Sequence, residues 1–222
     1  MEKKIIYHGS DKEIEKPLFG YGKPHNDYGL GFYCTEDIEL AKEWACVDDQ
    51  TNGFANKYEL DLSGLKVLDL TENSYSILNW MAILVKFRTF DLSSPISRQA
   101  KAFLLENYYV DVERYDIVIG YRADDSYFRF AKDFLNNTIS IEKLSEAMKL
   151  GKLGLQIVLI SERAFDSIRF LGSESVDHQI YHTKRVARDK KAREDYFTVQ
   201  EPHAESGEYI SDIMRKGITN VD

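Results

Sequence analysis

Apolar and polar positions alternate along several short stretches of this chain, the period of strands with one buried face. Together with the β-branched content, the alternation predicts strands at about Lys4–Tyr7, Gly31–Cys34, Tyr58–Leu62, Lys66–Leu70, Asp116–Tyr121, Leu155–Ile160 and Ser167–Leu171. After Thr35, an N-cap residue type, Glu36 and Asp37 stand where a helix dipole favours carboxylates. Ile38, Ala41 and Ala45 follow at helical spacing, so a first helix is expected to end near Val47. The same spacing predicts helices at about Ser74–Phe87, Ile96–Asn107, Ser126–Leu135 and Ile141–Lys149, then a charged one from Ser175 to Asp195. Strand-rich ends around a helical middle, without regular βαβ alternation, indicate an α+β fold. No Pro, Gly or Ser linker and no repeat divides the chain. One domain over residues 1–171 is expected, with 172–222 as a C-terminal extension packed on it.

Composition narrows the picture. Of 222 residues, 43% are hydrophobic and 13% aromatic, enough for a substantial core and against a disordered chain. Lys and Arg number 29 against 37 Asp and Glu, a net charge of −8 that repels phosphate backbones and disfavours unaided nucleic-acid binding. The most basic window is His182–Arg188 (HTKRVAR). The adjoining Asp189–Asp195 (DKKARED) mixes both signs and reads as a solvated helix face, with a functional basic patch as the alternative. The start, MEKKIIYHGS, lacks the apolar run of about 7–15 residues of a secretory signal. The longest apolar patch, Trp80–Val85, is far shorter than the roughly 20 residues that span a bilayer. Cys34 and Cys46 form no disulfide or metal framework. These features lead to the expectation of a soluble cytoplasmic protein with reduced thiols.

Two clusters carry candidate chemistry. Tyr7-His8-Gly9-Ser10 ends the first strand with an imidazole, a residue without a side chain and a small hydroxyl. Asp27-Tyr28-Gly29-Leu30-Gly31-Phe32-Tyr33-Cys34-Thr35 leads through two glycines into an aromatic strand, then into the helix bearing Trp44. Each cluster taken singly is also explained by ordinary packing. His25 and Asn26, just before Asp27, are polar loop residues that could line a ligand pocket. Cys34 follows Tyr33 and faces the other side of the strand, the position of a packed thiol. No Gly-x-x-x-x-Gly-Lys-[Ser/Thr], His-Glu-x-x-His or Gly-x-Ser-x-Gly sequence is present.

In order and spacing, YHGS, GLGFYCT and AKEWA resemble the NAD-binding half of ADP-ribosyltransferases of the diphtheria-toxin and poly(ADP-ribose) polymerase class. That class has a strand-borne His-Gly, a Gly-x-Gly-φ-Tyr strand and a second aromatic eleven residues after the tyrosine, here Trp44 in place of the usual tyrosine. The longer match, YHGSDKEIEKP and DYGLGFYCTEDIELAKEWA, is similar to an uncharacterised bacterial group of this fold associated with toxin–antitoxin and defence loci. The resemblance implies a split β-sandwich, NAD as co-substrate and no metal. It implies that His8 hydrogen-bonds the ribose next to adenine, that Gly9 holds the nicotinamide carboxamide and that Ser10 touches the nicotinamide ribose. Gly31 leads into Tyr33, which with Trp44 would sandwich the nicotinamide ring.

The third catalytic residue of the class is a glutamate at the start of a late strand. Leu155–Ile160 followed by SERAFDSIRFL has the expected strand, turn and strand, and puts Gln156 in that place; Glu208-Tyr209-Ile210 matches the letters, but no strand follows. Architecture favours Gln156, with Glu208 the alternative. A neutral amide there disfavours chain elongation and points to single transfer. Asp124, after the strand ending at Tyr121, either contacts a substrate or ribose, or shares with Asp125 the role of helix cap. The resemblance therefore implies a mono-ADP-ribosyltransferase acting on a macromolecular acceptor, a protein in preference to a nucleic acid, as a toxin or defence effector with a cognate antitoxin and no membrane partner. An NAD glycohydrolase and a catalytically degenerate NAD-binding or partner-binding module are the alternatives.

Overall fold

The first strand, β1 (Lys3–Ser10), pairs antiparallel along its length with β3 (Gly53–Asp61), and β3 pairs antiparallel with β7 (Ile168–Val176). The result is a three-stranded sheet in the order β1-β3-β7. A four-stranded sheet joins β2 (Phe32–Cys34), β6 (Leu155–Leu159), β5 (Ile117–Tyr121) and β4 (Val67–Asp69) in that spatial order, with β4 and β5 parallel and the other pairs antiparallel. This computed structural model describes residues 3–123, 125–150, 154–199 and 207–219. One bridge ties the sheets together: Tyr7 N–H donates to the Thr35 carbonyl at 2.7 Å, and Thr35 N–H returns a bond to the Tyr7 carbonyl at 2.9 Å.

Strand alternation assigns each face a partner. Ile6, Phe32, Cys34, Tyr58, Leu60, Ile117, Ile157 and Leu159 meet in the core shared by the two sheets. The other face of the four-stranded sheet, with Leu68, Val118 and Val158, lies under α2 (Ile77–Phe87), α3 (Pro95–Asn107), α4 (Asp125–Leu135) and α5 (Ile141–Ala147). Ala192 and Tyr196 of α7 (His178–Thr198) and Ile210 and Ile213 of α8 (Ile210–Thr219) join that core. The outer face of the three-stranded sheet takes α1 (Ile38–Ala45), through Ala41 and Ala45 against Ala55 and Val176. With the short α6 (Glu162–Asp166), eight α-helices and two sheets stand among the described residues, an α+β architecture. The patch Trp80–Val85 is buried on every side of α2, the mark of a core helix. Among the described residues no helix is long and apolar enough to cross a membrane.

Several element ends differ from the sequence expectation. Asp37, rather than Thr35, caps α1: its carboxylate accepts the Glu39 and Leu40 N–H groups at 2.8 and 3.3 Å, while Thr35 stays extended to bridge Tyr7. The third strand begins at Gly53, because buried Asn56 breaks the apolar alternation yet belongs to the sheet. The last strand continues through polar Gly172–Ser175 to Val176, so α7 starts at His178, capped by Asp177. Residues 172–176, expected as the start of the extension, are therefore sheet. Glu208-Tyr209-Ile210 leads into α8 instead of forming a strand.

Candidate functional site

A cleft of about 500 Å³ is lined by the end of β1, by β2, by Gln156 of β6, by Trp44 of α1 and by the loops between β1 and β2. His8, Gly9, Ser10, Gly31, Tyr33, Trp44 and Gln156, all singled out from sequence, line it together, as does Asn26. The alternative third residue, Glu208, does not: its carboxylate pairs with Lys216 and its carbonyl accepts from Ile141 N–H at 2.8 Å, beside α5 and α8. His25 is also not among the lining residues; its Nδ1 lies 3.4 Å from the Phe87 carbonyl. Asp124 falls outside the described residues.

The imidazole of His8 stacks on Phe32, with ring centroids 4.2 Å apart, and its Nδ1 lies 2.7 Å from the Tyr33 carbonyl. A carbonyl only accepts, so this bond assigns the proton to Nδ1 and leaves Nε2 with a free lone pair in the neutral ring. Burial lowers the His8 pKa below its ordinary value, against the opposing effect of the Tyr33 bond, and so favours that neutral form. Gly9 is set by packing: a Cβ there would overlap the Ala41 carbonyl and stand 2.7 Å from Ala45 N, so the missing side chain lets α1 lie on β1. The two-residue period turns the Gly9 N–H and C=O toward the same strand edge on which Tyr7 meets Thr35, beyond the point where that pairing ends.

Tyr33 is held by its hydroxyl, which donates to the Gly29 carbonyl at 2.7 Å and accepts from Tyr28 N–H at 3.1 Å. Gly29 makes this loop feasible by adopting φ 79°. Tyr28 is buried and its hydroxyl donates to the Tyr121 carbonyl at 2.7 Å, which pins the loop to the end of β5. Trp44 carries the Arg122 guanidinium 4.6 Å over its ring, and its indole N–H is buried with no hydrogen-bond partner among the described residues. A ligand ring stacked on Trp44 must therefore use the other face or displace Arg122.

Gln156 is 4% exposed. Its Nε2 donates to Asp27 Oδ2 at 3.1 Å, while its Oε1 is buried without a hydrogen-bond partner among the described residues. Asp27 was not singled out from sequence, and neither were the other charged lining residues Lys12, Arg88 and Arg122. Burial raises the Asp27 pKa, more than the Ala123 N–H, Arg88, Gln156 and Arg122 hold it down. Adjacency to the Tyr28-Gly29 turn was the available signal for Asp27; Arg88 arrives through the C-terminal end of α2, which no local motif announces.

The mouth of the cleft is a loop hung on two buried side chains of β3. Asn56 donates to the carbonyls of His8 and Lys12 at 3.3 and 3.2 Å and accepts Ile14 N–H at 2.9 Å, and the Tyr58 hydroxyl donates to the Ile14 carbonyl. Beyond that anchor Leu18 and Tyr21 line the mouth, 62% and 77% exposed. Cys34 lies buried between the sheets and burial pushes its thiol pKa up, unlike an activated nucleophile. Among the described residues, no group of three or more His, Cys, Asp or Glu side chains is placed to hold a metal ion. The basic window of α7 is engaged by α1, with Lys184 on Glu39 at 3.0 Å and Arg188 on Glu43, and Asp189–Asp195 carries i,i+4 ion pairs along a solvated face.

Residues 4–170 match the family described as Protein of unknown function, DUF3990. The chain belongs to DUF3990. Each cleft-lining residue, from His8 to Gln156, falls within the segment that DUF3990 covers, whereas α7 and α8 lie beyond it. No curated protein and no solved structure matches the chain.

Proposed function

We propose that this DUF3990 protein is a cytoplasmic mono-ADP-ribosyltransferase of the split β-sandwich type, which uses NAD to modify a macromolecular acceptor, as a bacterial toxin or defence effector would. The observation that supports the reading is convergence: the His8-Gly9-Ser10 strand end, the Gly31–Tyr33 strand, Trp44 and Gln156 line one cleft although they come from four separate elements. The volume of about 500 Å³ lies within the range of roughly 300–1,000 Å³ typical of small-molecule sites. Two buried polar atoms in the lining residues, Trp44 Nε1 and Gln156 Oε1, have no hydrogen-bond partner among the described residues, one a donor and the other an acceptor. Lys12, Arg88 and Arg122 supply the cations that a diphosphate needs in a chain of net charge −8.

NAD supplies an ADP-ribosyl group whose glycosidic bond breaks with its electron pair leaving on the nicotinamide nitrogen. In this reading His8 Nε2 accepts a hydrogen bond from the ribose next to adenine, and the Gly9 N–H and C=O hold the carboxamide. Tyr33 and the face of Trp44 away from Arg122 enclose the nicotinamide ring. Gln156 Oε1 accepts the nicotinamide-ribose hydroxyl, placing partial negative charge beside the carbon that becomes electron-poor. The acceptor's lone pair then forms the new bond at that carbon and its proton passes to solvent. Positioning and electrostatics carry the rate in this scheme. His8→Ala and Tyr33→Ala are each expected to abolish nicotinamide release from NAD; full turnover in both variants would overturn the assignment.

A further inference from the structure

We infer that Asp27 is the positioning residue for Gln156: its carboxylate fixes the amide so that Oε1 points away from it and is kept as an acceptor for a ligand donor, and lends it the negative charge that an amide lacks. The inference rests on the NAD-dependent reading above. Asp27 is 5% exposed and lines the cleft. Its Oδ2 accepts both Ala123 N–H at 2.8 Å and Gln156 Nε2 at 3.1 Å, and Arg88 Nη1 stands 3.6 Å from Oδ1.

The carboxylate determines which way the amide points. With Asp27 ionised, turning the Gln156 amide over would set Oε1 against Asp27 Oδ2, two acceptors with no proton between them, so Nε2 faces Asp27 and Oε1 faces away. That Oε1 is buried and has no partner among the described residues, an arrangement that costs stability unless a ligand donor reaches it. A hydrogen bond to a charged acceptor is roughly twice as strong as a neutral one and polarises the donor amide, which raises the electron density on Oε1.

The loop that presents Asp27 is held by further contacts of its own. Tyr28 is anchored to the Tyr121 carbonyl, the Tyr33 hydroxyl receives Tyr28 N–H, and Gly29 supplies the left-handed turn. The bonds of Asp27 to Ala123 N–H and to Arg88 also tie this loop to the segment after β5 and to the end of α2, so a purely structural role is the competing account.

Asp27→Asn separates the two, because the Asn oxygen can still accept both Ala123 N–H and Gln156 Nε2 while the charge is gone. Nicotinamide release from NAD is to be measured for the wild type, Asp27→Asn, Gln156→Ala and the double variant, with NAD affinity measured by calorimetry. The expected result is a fall in kcat of at least about tenfold in Asp27→Asn with little change in affinity, and no further fall when it is added to Gln156→Ala. Should Asp27→Asn fail to fold, Asp27→Ala with formate takes its place: formate is expected to restore turnover when Gln156 is present and not in the Gln156→Ala background. Wild-type kcat in Asp27→Asn, additive losses in the double variant, or formate rescue without Gln156 would overturn the role of Asp27 and leave the NAD reading standing. A wild-type protein that releases no nicotinamide would instead overturn that reading, and the inference with it.

Discussion

Burial of His8 makes the stability of the fold depend on pH. In the unfolded chain a histidine gains its proton near its ordinary pKa of 6.5, whereas burial in the fold holds His8 below that value. As the pH falls below about 6.5 the unfolded state binds more protons than the folded one, so His8 lowers stability toward acid. The expected outcome is a urea midpoint that falls between about pH 7.5 and 5.5 in the wild type and falls less in His8→Gln. Gly9→Ala is predicted to cost about 1–3 kcal/mol or more, since the new Cβ would strike the Ala41 carbonyl and α1 would have to lift from β1. Thermal unfolding measures the loss directly. Tyr33→Phe removes the bonds to Gly29 and Tyr28 while keeping the ring, and should lower the melting temperature more than it weakens NAD binding. At this scale His8, Gly9, Tyr33, Trp44 and Gln156 were legible because their types and order form a recognisable series. Asp27, Ala123 and Gln156 were not legible as a unit, because only the packing of β2, β5 and β6 brings positions so far apart in sequence into contact.

Helix α7 joins the two ends of the chain through its ion pairs with α1. The charged window that it carries was legible as a solvated face, and the ion pairs along Asp189–Asp195 fit that description. Its attachment was not legible, because the partners of Lys184 and Arg188 are Glu39 and Glu43, on a helix at the other end of the chain. Glu43 is 5% exposed, and burial raises its pKa even with Arg188 beside it. Arg188→Ala would leave that carboxylate buried without its main partner, at a cost of about 3 kcal/mol, and denaturant unfolding near neutral pH should show the loss. Because the cost falls on the ionised form, it should shrink as the pH is lowered and Glu43 takes up a proton. Strand limits were the least legible feature. The third strand contains buried Asn56, which serves the loop above it, and the polar residues Gly172–Ser175 of β7 are held in the sheet by backbone pairing to β3. Hydrophobic alternation registers neither of these.

For the whole molecule, the α+β class could be read from the order of the elements, while the division of the strands into β1-β3-β7 and β2-β6-β5-β4 depends on long-range pairing. The cleft owes its composition to that division, since β1 contributes His8 from one sheet and β2 and β6 contribute Tyr33 and Gln156 from the other. Membership of DUF3990 covers the elements that build the cleft and leaves α7 and α8 outside. Ala192 and Tyr196 of α7 and Ile210 and Ile213 of α8 nevertheless join the core under the four-stranded sheet. The proposed activity is transfer of ADP-ribose from NAD, bound in this cleft, to a macromolecule. The most direct measurement incubates the protein with NAD labelled in its adenylate half and a cell lysate, then locates the label. Label bound to protein and absent with Tyr33→Ala is the predicted result. Intact NAD after prolonged incubation would contradict the account, and so would free ADP-ribose with no labelled macromolecule.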